Sequence, residues 1–152
     1  MAALMSPRRL GTCAFLTNLG MLFFNAGFTK SAEITALDPN CFSAFGQALI
    51  LVWGLAFFLA GMGKGAASSP IWFAFGVEKA AYVINYLMWH RSNSVNSAWI
   101  AAHKKLLITD DLTELLSPVF ILIYGPVDFC FFVLFVNQAV SARSAGEAKK
   151  AS

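Results

Sequence analysis

Residues 71–89 read IWFAFGVEKAAYVINYLMW. Apart from Glu78 and Lys79, this is an apolar helix of membrane-spanning length, because a ~30 Å hydrocarbon layer takes roughly 20 apolar residues at helical rise. A charge at membrane depth costs at least ~2.5–3.5 kcal/mol on insertion scales, so such groups face a protein interior and point to function. The rest of the chain supplies three more stretches of the same kind. Residues 10–29 and 41–63 contain no charged side chain, and residues 115–142 contain only Asp128. With 68–89, these make four candidate spans.

Alternating barrel-like segments are absent, and backbone in lipid has to bond within its own segment, so the spans are read as helices. The composition agrees: 58% of the residues are apolar and 12% charged, about half the charged share of an ordinary soluble domain. The expectation is an all-α fold, an integral-membrane up-down-up-down four-helix bundle over residues 1–142. Residues 143–152 are small and polar and are expected to form a disordered tail. Arg8 and Arg9 before an apolar run resemble a signal peptide, but no clean small-x-small cleavage site follows, so a retained first helix is expected.

An even number of spans places both termini on one side. That side carries Arg8, Arg9, Lys64, Arg143, Lys149 and Lys150, and the other carries Lys30, Arg91, Lys104 and Lys105. The excess of basic residues favours a cytoplasmic (or equivalent organellar) location for both termini. The net charge of +3 lies mostly at the chain ends, which argues against a nucleic-acid partner. Membrane lipids, other membrane-protein subunits or a second copy of the chain are the expected partners.

The connections 30–40 and 64–67 are short, and Pro39 and Pro70 stand where a helix begins and a missing N–H is harmless. The third loop, 90–114, differs. Trp99, Ala102, Leu106 and Leu107 recur at amphipathic spacing, consistent with a short interfacial helix or with a cap over the bundle mouth. Asp111 and Glu114 have capping-box spacing, which starts the last helix near Leu112. Gly20 with Gly27, and Gly61 with Gly65, are candidate sites of close helix approach. Cys13 and Cys130 read as small buried apolar residues, and Phe129, Phe131, Phe132 and Phe135 as a lipid- or partner-facing surface.

Helical spacing gathers the polar residues onto faces. Glu78, Tyr82 and Asn85 share one face, Tyr124 and Asp128 another, and Asn18 and Asn25 a third. Gln47 lies near the start of its helix. Asn18, Glu78, Lys79 and Asp128 fall near mid-depth, and Asn25, Gln47, Tyr82, Asn85 and Tyr124 fall toward the side away from the termini. These nine residues are the candidate ligand- or proton-binding set. Interhelical hydrogen bonding alone would account for the asparagines, each bond being worth about 0.6–2 kcal/mol. Pairing of Lys79 with Asp128 leaves Glu78 as a surplus carboxyl able to bind a proton, donate a hydrogen bond or ligate a cation. Pro126 in Tyr124-Gly125-Pro126-Val127-Asp128 removes one backbone donor and frees a carbonyl near position 122.

Cofactor chemistry is sparse. Membrane b-haem takes two histidines at depth, whereas His90 and His103 both fall in the third loop. No cluster with zinc-ligand spacing is present, and 61–65 lacks the P-loop pattern. No catalytic constellation is visible. Quinone, lipid or pigment remain open as ligands, although the Glu-x-x-His and Asn-x-Arg pigment signatures are missing.

Ala26-Gly27-Phe28-Thr29-Lys30 resembles the corresponding region of the DoxX-like family of small four-helix membrane proteins, as does the overall layout. That resemblance implies a four-helix membrane fold and an association with quinol oxidation or membrane redox partners. Three functions follow as expectations. The chain is read first as a non-enzymatic accessory or binding subunit of a membrane, bioenergetic complex. A second reading is a small carrier or proton-coupled binding protein for an apolar or quinone-like ligand. The third is a membrane oxidoreductase partner of DoxX-like type.

Overall fold

A computed structural model describes residues 3–24, 35–36, 38–63, 68–92, 100, 104 and 112–151. Most of these residues are helical, with no strand among them. The helices are α1 (Pro7–Phe24), α2 (Pro39–Phe42), α3 (Ala44–Met62), α4 (Ser69–Arg91) and α5 (Leu112–Ala151). The segment 93–99, the residues about His103, Lys105–Asp111 and Asn25 lie outside the described residues, so the interfacial-helix expectation and Asn25 fall there too.

The expected helix over 41–63 is broken at Ser43. Ser43 has extended backbone, with φ −59° and ψ 163°, and its hydroxyl accepts from the Gly46 N–H at 3.1 Å. A serine oxygen that satisfies an orphan amide ends one helix and starts the next. Asp38 does the same for α2, accepting from the Cys41 N–H at 3.3 Å, with Pro39 in the first turn. α5 begins at Leu112, the start that the capping-box spacing marks, but it does not stop at 142. It runs through the segment read as a disordered tail to Ala151, because that segment is rich in alanine and long charged residues of high helix propensity. Arg143 and Glu147, one turn apart there, approach to 2.9 Å.

α1 packs antiparallel on α3, and α4 antiparallel on α5. Close approach in the first pair depends on Gly11, where a Cβ would strike the Phe57 carbonyl, and on Gly61, where it would come within 2.7 Å of the Pro7 carbonyl. Gly20, expected at such a contact, has no described residue within 4 Å of a Cβ position.

The interior divides into two apolar clusters. Toward the chain termini, Leu10, Ala14, Phe57, Trp72, Phe75, Phe131, Phe135 and Ala139 pack together. The rings of Phe57 stand 4.9 Å from both Phe75 and Phe135. At the other end, Met21, Leu22, Cys41, Phe42, Ile50, Trp89 and Tyr124 form the second cluster. Phe131 and Phe135 are therefore core residues, not outward-facing ones, because they share the inward stripe of Asp128 at helical spacing. Phe129 does face outward, at 53% exposure. Cys13 and Cys130 are exposed and not buried as expected.

Among the described residues two helical segments, Ala44–Met62 and Leu122–Ala148, are long and apolar enough to cross a membrane, against the four spans expected. α1 carries Arg8 and Arg9 in its first turn, and α4 carries Glu78, Lys79 and Asn85 along its length.

Candidate functional site: a buried charge cluster between two apolar layers

Between the two apolar clusters, α1, α4 and α5 bring Asn18, Glu78, Lys79 and Asp128 together. All four are buried. The Lys79 ammonium lies 2.7 Å from Asp128 Oδ1 and 3.7 Å from Glu78 Oε2, and 3.5 Å from Asn18 Oδ1. It also sits 5.1 Å from the centre of the Phe57 ring and 5.5 Å from that of Tyr82, within cation–π range. Asn18 itself is held by donating to the Ile50 carbonyl at 2.8 Å. Lys79 thus has a close countercharge, an amide acceptor and two aromatic faces.

Glu78 is placed differently. Its side chain is 6% exposed, and neither carboxylate oxygen has a hydrogen-bond partner. Among the described residues its ionic neighbour is Lys79, which sits 1 Å closer to Asp128. The carboxyl borders a cavity of about 30 Å³ lined also by Lys79, Asp128, Tyr82 and Tyr124 from α4 and α5, with Asn18 and Cys41 opposite. That volume holds one or two water molecules.

One turn further along, a second polar group continues the column. Tyr124 donates its hydroxyl to Asp38 Oδ2 at 2.7 Å. The Asn85 amide donates to Tyr124 Oη at 3.1 Å and to Asp38 Oδ2 at 3.3 Å. Asp38 is 1% exposed and had no place among the sequence candidates, since an acid in a polar connection between helices is unremarkable. The only local signal for it is Asp-Pro, an N-cap residue followed by the proline that opens α2.

Glu78, Lys79, Asp128, Asn18, Tyr82 and Tyr124 thus meet around one cavity, and Asn85 joins through Tyr124. Gln47 does not belong to the group. Its amide donates to the Phe42 carbonyl at 2.9 Å and so secures the end of α2. His90, assigned to the third loop, lies in the last turn of α4 and is exposed. Among the described residues, no three His, Cys, Asp or Glu side chains gather in a way that could hold a metal ion.

No protein-family model matches the chain, and neither a curated protein nor a solved structure matches it. The segment that carries the DoxX-like resemblance, 26–30, lies outside the described residues.

Proposed function

We propose that the chain is a multi-pass membrane protein with four spans, α1, α3, α4 and α5, and that it serves as a non-enzymatic subunit within the bilayer. The observation that carries this reading is the direction of burial. Asn18, Asp38, Gln47, Glu78, Lys79, Asp128 and Gln138 are inside, while Phe23, Val52, Leu59, Phe73, Ile84, Met88 and Phe129 are each more than half exposed. In water the informative departures are a buried charge and an exposed apolar patch, and here both occur along the same helices. A hydrocarbon surrounding removes both difficulties at once, since the outer faces then contact lipid or another membrane protein.

The charges that lower the overall apolarity of α4 point inward, toward Asn18 and Asp128, and so need not touch lipid. Arg8 and Arg9 sit at the first turn of α1, where long basic side chains reach the interface. The basic residues at both chain ends support placing the termini on the cytoplasmic side.

Carriage of a quinone-like molecule calls for a pocket of roughly 300 Å³ or more. The water-sized cavity beside Glu78 favours a subunit or small-ion role instead. Single cysteines introduced at Ser94 and Ser144, in a background free of the native three, test the topology. Membrane-impermeant maleimide should label them from opposite sides of sealed vesicles, and the chain should resist extraction by alkaline carbonate. Labelling from the same side, or release by carbonate, rejects the four-span reading.

A further inference from the structure

We infer that Glu78 is a proton-binding site that exchanges its proton with the side of the bundle closed by α2. The inference rests on the four-span reading, which keeps bulk water away from the helix interior. Three features of the geometry lead to it. Glu78 is more than nine-tenths buried, and among the described residues both its oxygens are without hydrogen-bond partners. The nearest cation, Lys79, is committed to Asp128 at 2.7 Å. The cavity against the carboxyl, about 30 Å³, has room for one or two waters.

The charge balance selects the ligand. Glu78 and Asp128 with Lys79 leave one negative charge in an apolar interior, and an isolated ion there is far costlier than a neutral group. A metal cation needs several oxygen donors around it. Oxygens that line the cavity are already engaged, Asp128 Oδ1 and Asn18 Oδ1 by Lys79 and Tyr124 Oη by Asn85. A proton neutralises Glu78 without a coordination shell. The titratable groups lining the cavity are Lys79 and Tyr82 from α4, Asp128 and Tyr124 from α5 and Cys41 from α2, while α1 and α3 line it with Thr17, Asn18, Met21 and Ile50. No redox partner is required: the proton leaves water, joins a carboxylate oxygen and returns to water.

The direction of exchange follows from what closes each end. On the side of the termini, Phe57, Phe75 and Phe135 pack ring against ring. On the other side, Tyr124 lines the cavity and its hydroxyl donates to Asp38. A hydroxyl–carboxylate pair can relay a proton, whereas an aromatic stack cannot.

Infrared difference spectroscopy on the full chain in lipid vesicles tests this. The wild type should show a protonated carboxylic-acid C=O band that is absent in E78Q, shifts on transfer to D₂O within minutes, and fades as pH rises. Labelling all glutamates with carboxyl-¹³C should shift the band in the unmutated chain, which assigns it to a glutamate and not to Asp128 even if E78Q folds poorly. Y124F should keep the band and slow its exchange about tenfold or more, a change that loss of packing alone would not produce. A wild-type chain that is membrane-integral and folded but shows no such band at any pH overturns the proposal, and so does a band that never exchanges with D₂O. Suppression of the band by sodium at fixed pH also overturns it, by assigning the carboxyl to a metal cation. Release of the chain from the membrane by carbonate would instead reject the four-span reading itself.

Discussion

The Tyr86 hydroxyl donates to the Leu122 carbonyl at 2.7 Å, and Leu122 stands four residues before Pro126. An α-helix bonds each carbonyl to the N–H four residues on, so Pro126 leaves this one without its helical donor. The neighbouring helix supplies the missing hydrogen bond. Gly125 makes the approach possible, because a Cβ there would collide with the Tyr86 ring. The helix is therefore unbroken through Gly125-Pro126, with α4 completing what α5 lacks.

Tyr86→Phe should lower thermal stability by about 0.6–2 kcal/mol, the range for an interhelical hydrogen bond in lipid. Pro126→Ala restores the N–H to the Leu122 carbonyl, so in that background the same Tyr86→Phe change should cost little. A double-mutant cycle of unfolding midpoints measures this. Equal costs with and without Pro126 would mean that the hydroxyl does not replace the lost donor.

The freed carbonyl could be read from the sequence, because proline has a fixed consequence four residues upstream. Its partner could not, since Tyr86 reaches it only through the α4–α5 packing. The same division applies to the candidate site. Glu78, Lys79 and Asp128 stand out because a charge inside an apolar run is costly unless buried, and helical spacing then groups them with Tyr82 and Tyr124. Asp38 stayed hidden, as its burial depends on how α2 folds back between the long helices. The position of Gln47 in an apolar window points to the site, but the break at Ser43 turns it toward the end of α2. The outward reading of Phe131 and Phe135 failed for a related reason: an aromatic run around a helix has faces, and the Asp128 face is the interior one.

Lys79 and Asp128 should behave as a pair. Removing either partner of a buried ion pair leaves an uncompensated charge, a loss of roughly 3–5 kcal/mol, whereas replacing both with apolar residues can be nearly neutral. Lys79→Met and Asp128→Leu should each lower the detergent-solubilised melting temperature, and the double variant should recover most of the loss. Strictly additive losses would show that the 2.7 Å contact carries no coupling.

Gly11 and Gly20 make a paired test of the α1–α3 contact. Both lie in α1, but a Cβ at Gly11 meets the Phe57 carbonyl and one at Gly20 meets no described residue within 4 Å. Gly20→Ala should be neutral or stabilising by up to ~1 kcal/mol through helix propensity. Gly11→Ala should destabilise, because two backbones must move apart. Thermal unfolding of the two variants in parallel decides it, and equal effects would reject the close crossing.

Asp38 fastens α2. Its carboxylate accepts from the Cys41 N–H through one oxygen and from Tyr124 and Asn85 through the other. Asp38→Ala removes an N-cap worth about 0.5–2 kcal/mol, and it also leaves the Tyr124 hydroxyl and the Asn85 amide without that acceptor. The loss is local, so α2 should open more often while the long helices stay packed. Cys41 reports this directly, being 4% exposed in the closed form. With the exposed Cys13 and Cys130 replaced by serine, maleimide should react with Cys41 about tenfold faster in Asp38→Ala than in the parent, the factor for ~1.4 kcal/mol of opening free energy. Asp38→Asn keeps one oxygen acceptor and should fall between the two. An unchanged Cys41 rate in Asp38→Ala would mean that Phe42 and Cys41 packing holds α2 in place without the carboxylate, and that the Tyr124–Asp38 hydrogen bond contributes nothing to closing that end of the bundle.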